Sequence, residues 1–266
     1  VKASSKFMAP VAHDAGDVGV LRDAGEALRA SLGFTAQLLA ASDDGPPPEG
    51  SKKIYFIRHG EGYHNVAQRE WRAKTDWDGK TEPYTLDQDP DGKFEDPLLT
   101  PKGEGQAKDL QPRAAPLAPE LLVVSPMRRA MQTGLTAFER HVAEGRLPVL
   151  AHELCHERAG LHTCDRRLPK AKLAELFPTV DFKLLESEED PYWGDGWKRE
   201  DLPAMATRAG RFIEWLMARP EQRIAVAAHS GFLLAVFNAA CECDSAELRS
   251  HFDTGEMRTV LLSTKR

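Results

Sequence analysis

The 266-residue sequence predicts an α/β fold: a three-layer sandwich with a mostly parallel central sheet, helices on both faces and long loops over the carboxyl ends of the strands. Three observations predict it. Short apolar runs alternate with stretches of helical period. Three of those runs break off abruptly at Arg58-His59-Gly60, Ser125-Pro126 and His229-Ser230-Gly231. The long segments left over are rich in turn residues and aromatics, as in excursions across a catalytic face.

The elements follow in chain order. Leu21, Ala24, Leu28, Leu32, Ala36 and Leu39 recur at intervals near three and four, which predicts a helix over 21–41. Residues 42–50, Ser-Asp-Asp-Gly-Pro-Pro-Pro-Glu-Gly, form a stiff connector by composition. Residues 1–50 are thus expected to be a helical extension with a Pro-rich connector, and 51–266 the catalytic domain. Lys53 to Ile57 reads as a buried strand. Residues 62–100 read as a long loop with a short helix at its start, anchored by Trp71, Trp77, Tyr84 and Phe94. Thr100-Pro101 caps a helix that stops near Leu110, before Pro112. Strand 121–124 follows. Ser125-Pro126 repeats the cap-and-proline arrangement and predicts a helix over about 126–143.

Strand 147–150, a short helix over 170–177 and an acidic, aromatic excursion over 186–200 come next. Met205, Ala209, Phe212, Ile213 and Leu216 form one stripe of a helix over 203–219. Strand 224–228 leads through His229 into an apolar helix over 231–240, and 257–262 reads as the last strand.

Composition narrows the function. With 35 basic and 41 acidic residues the net charge is −6, which argues against a nucleic-acid or anionic-membrane surface. The four cysteines are too few for a disulfide scaffold and predict reduced thiols. Cys155, His156, His162 and Cys164 have no recognised zinc-ligand spacing. No apolar stretch approaches the roughly 20 residues of a membrane span. A cytoplasmic protein is expected, unless a targeting segment preceding Val1 has been removed. In open α/β sheets ligands bind outside the carboxyl ends of strands. Two histidines and at least two arginines gathered there imply a phosphoryl group.

Arg58-His59-Gly60-Glu61-Gly62-Tyr63-His64-Asn65 resembles the opening signature of the histidine phosphatase superfamily, also called phosphoglycerate mutase-like. That signature is Arg-His-Gly with an asparagine six residues after the histidine, here Asn65. Ser125-Pro126-Met127-Arg128-Arg129-Ala130 resembles the family's Ser-Pro-x-x-Arg-Ala and selects Arg129 over Arg128. His229 matches the second histidine, and Leu99-Thr100-Pro101-Lys102-Gly103 the Leu-Thr-x-x-Gly region. The resemblance spans residues 52–262. A finer likeness, to a plant and fungal branch, rests on Gly62-Tyr63-His64-Asn65 and His162-Thr163-Cys164-Asp165-Arg166-Arg167. The acid-phytase branch is a poorer match, because Glu61-Gly62-Tyr63 and His229-Ser230 depart from its motifs.

The resemblance implies a phosphomonoester hydrolase acting on a small phosphorylated metabolite. His59 would attack phosphorus while Arg58 and Arg129 hold the equatorial oxygens with forked guanidiniums. His229 would stabilise the transition state, with Asn65 and Ser230 as further substrate contacts. The leaving oxygen needs an acid, and Glu157, which precedes a glycine in the family manner, is preferred to Glu153. No cofactor or metal is expected, since arginines and histidines supply the charge. The alternatives are a phosphoglycerate mutase-type phosphotransferase or a non-catalytic binding protein with a retained phosphate pocket.

Overall fold

The structure, a computed structural model, describes residues 13–32 and 35–265; residues 1–12 of the expected extension lie outside them. Its centre is a seven-stranded sheet. Strand β2 (Ser51–Arg58) lies parallel to β6 (Arg223–Ala228), which lies parallel to β3 (Leu121–Val124). Beyond these come β4 (Val149–Ala151) and the two-residue β5 (Val180–Asp181), both parallel. On the other side β7 (Met257–Thr264) runs antiparallel to β2, and β1 (Ala36–Ala40) runs antiparallel to β7.

The strands read as continuous apolar runs because both faces are covered. Side chains alternate across a strand. Ile54, Phe56, Val123, Ile224 and Val226 therefore face one layer, containing α1 (His13–Leu32) and α8 (Leu202–Ala218). Tyr55, Ile57, Leu122, Val124, Ala225 and Ala227 face the opposite core, where α5 (Arg128–Ala137) supplies Met131. No helix among the described residues is long and apolar enough to cross a membrane.

Three elements differ from the sequence reading. The helix expected over 21–41 ends at Leu32, and residues 36–40 form β1 instead. The helical spacing continues to Leu39, but the edge of β7 offers a full ladder, from Ala36 opposite Thr264 to Ala40 opposite Val260. Two further bonds, Leu38 N–H to the Glu242 carbonyl and Glu242 N–H to the Ala36 carbonyl, hold the other side of β1. Backbone pairing outweighs local propensity here. The helix expected over 126–143 begins only at Arg128 and breaks at Phe138 into α5 and a short second helix. Ser125 does not cap it, for its hydroxyl is directed to His229. The helix after His229 is α-helical only over Ser230–Ala235 and widens to a π-helix over Val236–Ala240.

Candidate active site

Strands β2, β3 and β6 each end in a turn that leads into a helix, so three helix N-termini converge where Arg58, Arg129 and His229 emerge. The turn after β2 is held tightly. Gly60 N–H donates to Thr133 Oγ1 at 3.0 Å, and Gly62 N–H to Asn65 Oδ1 at 2.9 Å. Glu61 is buried and receives Arg69, Lys102 and the Thr100 hydroxyl. Thr100 also caps α3 (Pro101–Asp109), as its sequence predicts. The two glycines at this crossing have no room for a side chain. A Cβ on Gly60 would lie 2.4 Å from the Gly103 carbonyl oxygen, and one on Gly103 would lie 2.1 Å from that of Glu61.

His59 is 2% exposed and lines a cleft of 170 Å³. Its Nδ1 lies 2.7 Å from the Gly60 carbonyl oxygen. A carbonyl only accepts, so Nδ1 carries the proton and Nε2 keeps its lone pair. Burial pulls the imidazole well below its ordinary range, and the Arg129 and Arg58 charges pull it further. The ring is therefore neutral and nucleophilic.

Around it stand donors without partners. Arg58 Nη1 donates to the Phe252 carbonyl at 2.6 Å, while its buried Nε has no partner. Arg129, 1% exposed, donates through Nη1 to the Cys164 carbonyl and through Nη2 to Asp165 at 2.9 Å, and its Nε is likewise unpaired. His229 packs against His59 at a tilt, with ring centroids 5.1 Å apart. Its Nε2 meets Ser125 Oγ at 2.7 Å, and its Nδ1 is buried without a partner. Leaving such groups unsatisfied costs about 1–3 kcal/mol each. An anion with several acceptor oxygens, bound beside His59, matches these donors.

Glu157 enters the cleft from the loop after β4. Its carboxylate accepts from Gly231 N–H at 3.1 Å, Phe232 N–H at 3.0 Å and Arg158 N–H at 3.0 Å. Gly231 makes this possible, because a Cβ there would lie 2.6 Å from Glu157 Oε1. Behind the loop, Arg208 donates to the carbonyls of Leu154, His156 and Glu157.

Arg58, His59, Asn65, Arg129 and Glu157 thus share one cleft. His229 lies against His59 rather than on the cleft wall. Ser230 lies apart from the cleft, with its hydroxyl 3.1 Å from His251 Nδ1. Glu153 is bound on both oxygens by the buried Arg167. Arg128 turns away to the 95–96 loop, where it contacts Asp96 and the Glu95 carbonyl. The sequence reading missed Gln68, Tyr84 and Arg199 as cleft residues and left His64 unplaced. For His64 and Gln68 a signal exists: they stand four apart on α2 (Tyr63–Arg72), just beyond the His59 turn. Tyr84 and Arg199 arrive on long excursions that carry no spacing signal.

A mostly parallel α/β sheet that delivers a neutral histidine beside the half-buried Arg58 and the buried Arg129 at its carboxyl edge has the chemistry to hold a phosphoryl group. The comparisons make this specific. Residues 79–265 match the model of the histidine phosphatase superfamily (branch 1), and the chain belongs to that family. The match begins after the Arg58–Asn65 turn, so the reading of His59 rests on the turn's own geometry. A phosphoglycerate mutase-like protein of Arabidopsis thaliana is 33% identical over 250 residues, covering 81% of this chain and 86% of that one. A second from the same plant, phosphoglycerate mutase-like protein 1, is 30% identical over 81% and 83% of the two chains. Among solved structures, an α-ribazole phosphatase from Shigella flexneri overlays with a TM-score of 0.48 at 18% identity, covering 78% of this chain and 89% of that one.

Proposed function

We propose that the protein is a phosphomonoester hydrolase that works through a phosphohistidine on His59. One observation carries this reading: the bond from His59 Nδ1 to the Gly60 carbonyl leaves a lone pair on Nε2, in a cleft walled by Arg58 and Arg129. Nε2 attacks phosphorus in line and the ester oxygen leaves. The unpaired Nε donors of Arg58 and Arg129 take equatorial oxygens, where negative charge builds up. The Ser125 hydroxyl can donate to His229 Nε2, which makes Nδ1 the N–H and gives the phosphoryl group a third donor.

Glu157 gives a proton to the departing alkoxide. It then takes one from the water that attacks the phosphohistidine, which releases inorganic phosphate and frees Nε2. Its three backbone donors and Gly231 fix the carboxylate at the cleft, whereas Glu153 is committed to Arg167. The guanidiniums supply the charge that a metal supplies in other phosphoryl-transfer sites. No cluster of three or more His, Cys, Asp or Glu able to hold a metal ion occurs among the described residues.

Phosphate release from p-nitrophenyl phosphate by wild type and His59→Ala tests the reading. Loss of release with an unchanged circular dichroism spectrum is expected. Undiminished release by the variant would overturn it.

A further inference from the structure

The part of the cleft around Arg58 and Arg129 is cationic, but one wall is not. His64, Gln68, Tyr84 and His162 form it. The three rings meet in T-shaped contacts: His64 and Tyr84 have centroids 6.1 Å apart, and Tyr84 and His162 5.0 Å. Gln68 donates to the Tyr84 hydroxyl at 2.6 Å, which leaves that hydroxyl its own hydrogen to donate. Burial pulls His64 well below its ordinary range, helped by Arg129, and burial with Arg199 brings His162 down to about 3. Burial also pushes the Tyr84 hydroxyl up, so all three rings are neutral near pH 7.

The cation nearest this wall is neutralised. Arg199 donates through Nη1 to the Gly160 carbonyl and to Asp165, and Asp165 also takes Arg129. Burial pushes the Asp165 carboxyl up, but Arg199 and Arg129 outweigh it and hold it ionised. Among the cleft residues three arginines face Asp165, and Glu157 in its role as acid is uncharged, which leaves two net positive charges. A phosphate dianion already balances that. A second anionic group would meet neutral rings and an amide, with its hydration stripped and no counter-charge gained.

We propose that the cleft selects phosphate esters of compact, neutral, hydroxylated alcohols and discriminates against those that carry a carboxylate beside the phosphate. The small volume favours compact leaving groups, while the Tyr84 hydroxyl, the Gln68 amide and the two imidazoles offer donors and acceptors to hydroxyls. This rests on the hydrolase reading only for where the phosphate sits. It separates this chain from an enzyme of phosphoglycerate, a carboxylate-bearing ester.

A matched pair tests it: glycerol 3-phosphate and 3-phosphoglycerate differ only by CH2OH against a carboxylate. Their binding to His59→Ala is measured by titration calorimetry, which needs no turnover and so is independent of the fate of the phosphohistidine reading. Binding of glycerol 3-phosphate at least ~10-fold tighter is expected, in line with an unpaired carboxylate against neutral rings. Competitive inhibition of wild-type p-nitrophenyl phosphate hydrolysis by the same two esters gives the same ratio if His59→Ala folds poorly. Gln68→Lys, which adds a cation to the wall, should shrink or reverse the preference. Equal or tighter binding of 3-phosphoglycerate would overturn the proposal, as would a preference that Gln68→Lys leaves unchanged.

Discussion

Raising the pH from 6.5 to 9 should discharge a buried ion pair that holds the Glu157 loop. His156 is fully buried, with Nδ1 2.7 Å from the Glu157 carbonyl and Nε2 3.0 Å from the Asp190 carboxylate. Both partners only accept, so both ring nitrogens carry protons. Burial pulls the ring down, but Asp190 outweighs it and raises the imidazolium to about 9. A raised folded value means that the stabilisation is complete below the unfolded value of 6.5 and is lost as pH climbs through about 9. At 1.36 kcal/mol per unit the loss is about 3 kcal/mol. For a chain of this size that corresponds to roughly 6–12 °C in Tm. The other buried histidines of the site, His59, His64 and His229, are held below 6.5 when folded but are half-protonated in the unfolded chain at pH 6.5, so each opposes the loss by about 0.4 kcal/mol, and the difference between wild type and Asp190→Asn isolates His156. Thermal melts by circular dichroism at constant ionic strength, from pH 6.5 to 9, read the effect. Asp190→Asn should lower Tm at pH 6.5 and flatten the profile. An equally steep profile in the variant would refute the reasoning, because the proton would then be held elsewhere.

Further outcomes follow from the same geometry. Glu157→Gln should lower kcat for alkyl phosphates by ~10²–10⁴-fold with little change in Tm, whereas Glu153→Gln should lower Tm and spare kcat, because Glu153 serves Arg167. Steady-state kinetics and melts on both variants separate the two carboxylates. Arg129→Lys should cost ~10²–10³-fold in kcat, since an ammonium cannot serve the Cys164 carbonyl, Asp165 and a phosphate oxygen together; phosphate release reads it. Gly103→Ala puts a Cβ 2.1 Å from the Glu61 carbonyl and should destabilise by about 1–3 kcal/mol, read by urea unfolding, with lost activity as the His59 turn is displaced.

Much of this architecture was legible in the chain because the information is local. The runs that become β2, β3 and β6 are short, apolar and stopped by His59, Ser125 and His229, so strand ends and reactive residues are read together. Of the two neighbouring arginines, Arg129 lines the cleft and Arg128 bonds the Asp96 carbonyl. What the sequence hid depends on distant partners. The fate of residues 36–40 is set by the edge of β7, more than 200 residues away. Ser125 looks like a helix cap until His229 arrives 104 residues later to claim its hydroxyl. Tyr84 and Arg199 belong to segments with no period, and their place is fixed by bonds such as Thr163 N–H to the Tyr84 carbonyl and Arg199 to Asp165.

The most direct test of the central claim is to trap the phosphoryl group on the chain. Wild-type protein is mixed with a phosphate-labelled ester, quenched within the first turnover and mapped by peptide. The account predicts one labelled peptide, with the label on His59, lost in acid and stable in base as a phosphoramidate is, and absent from His59→Ala. An acid-stable label, or one that persists in His59→Ala, would contradict it.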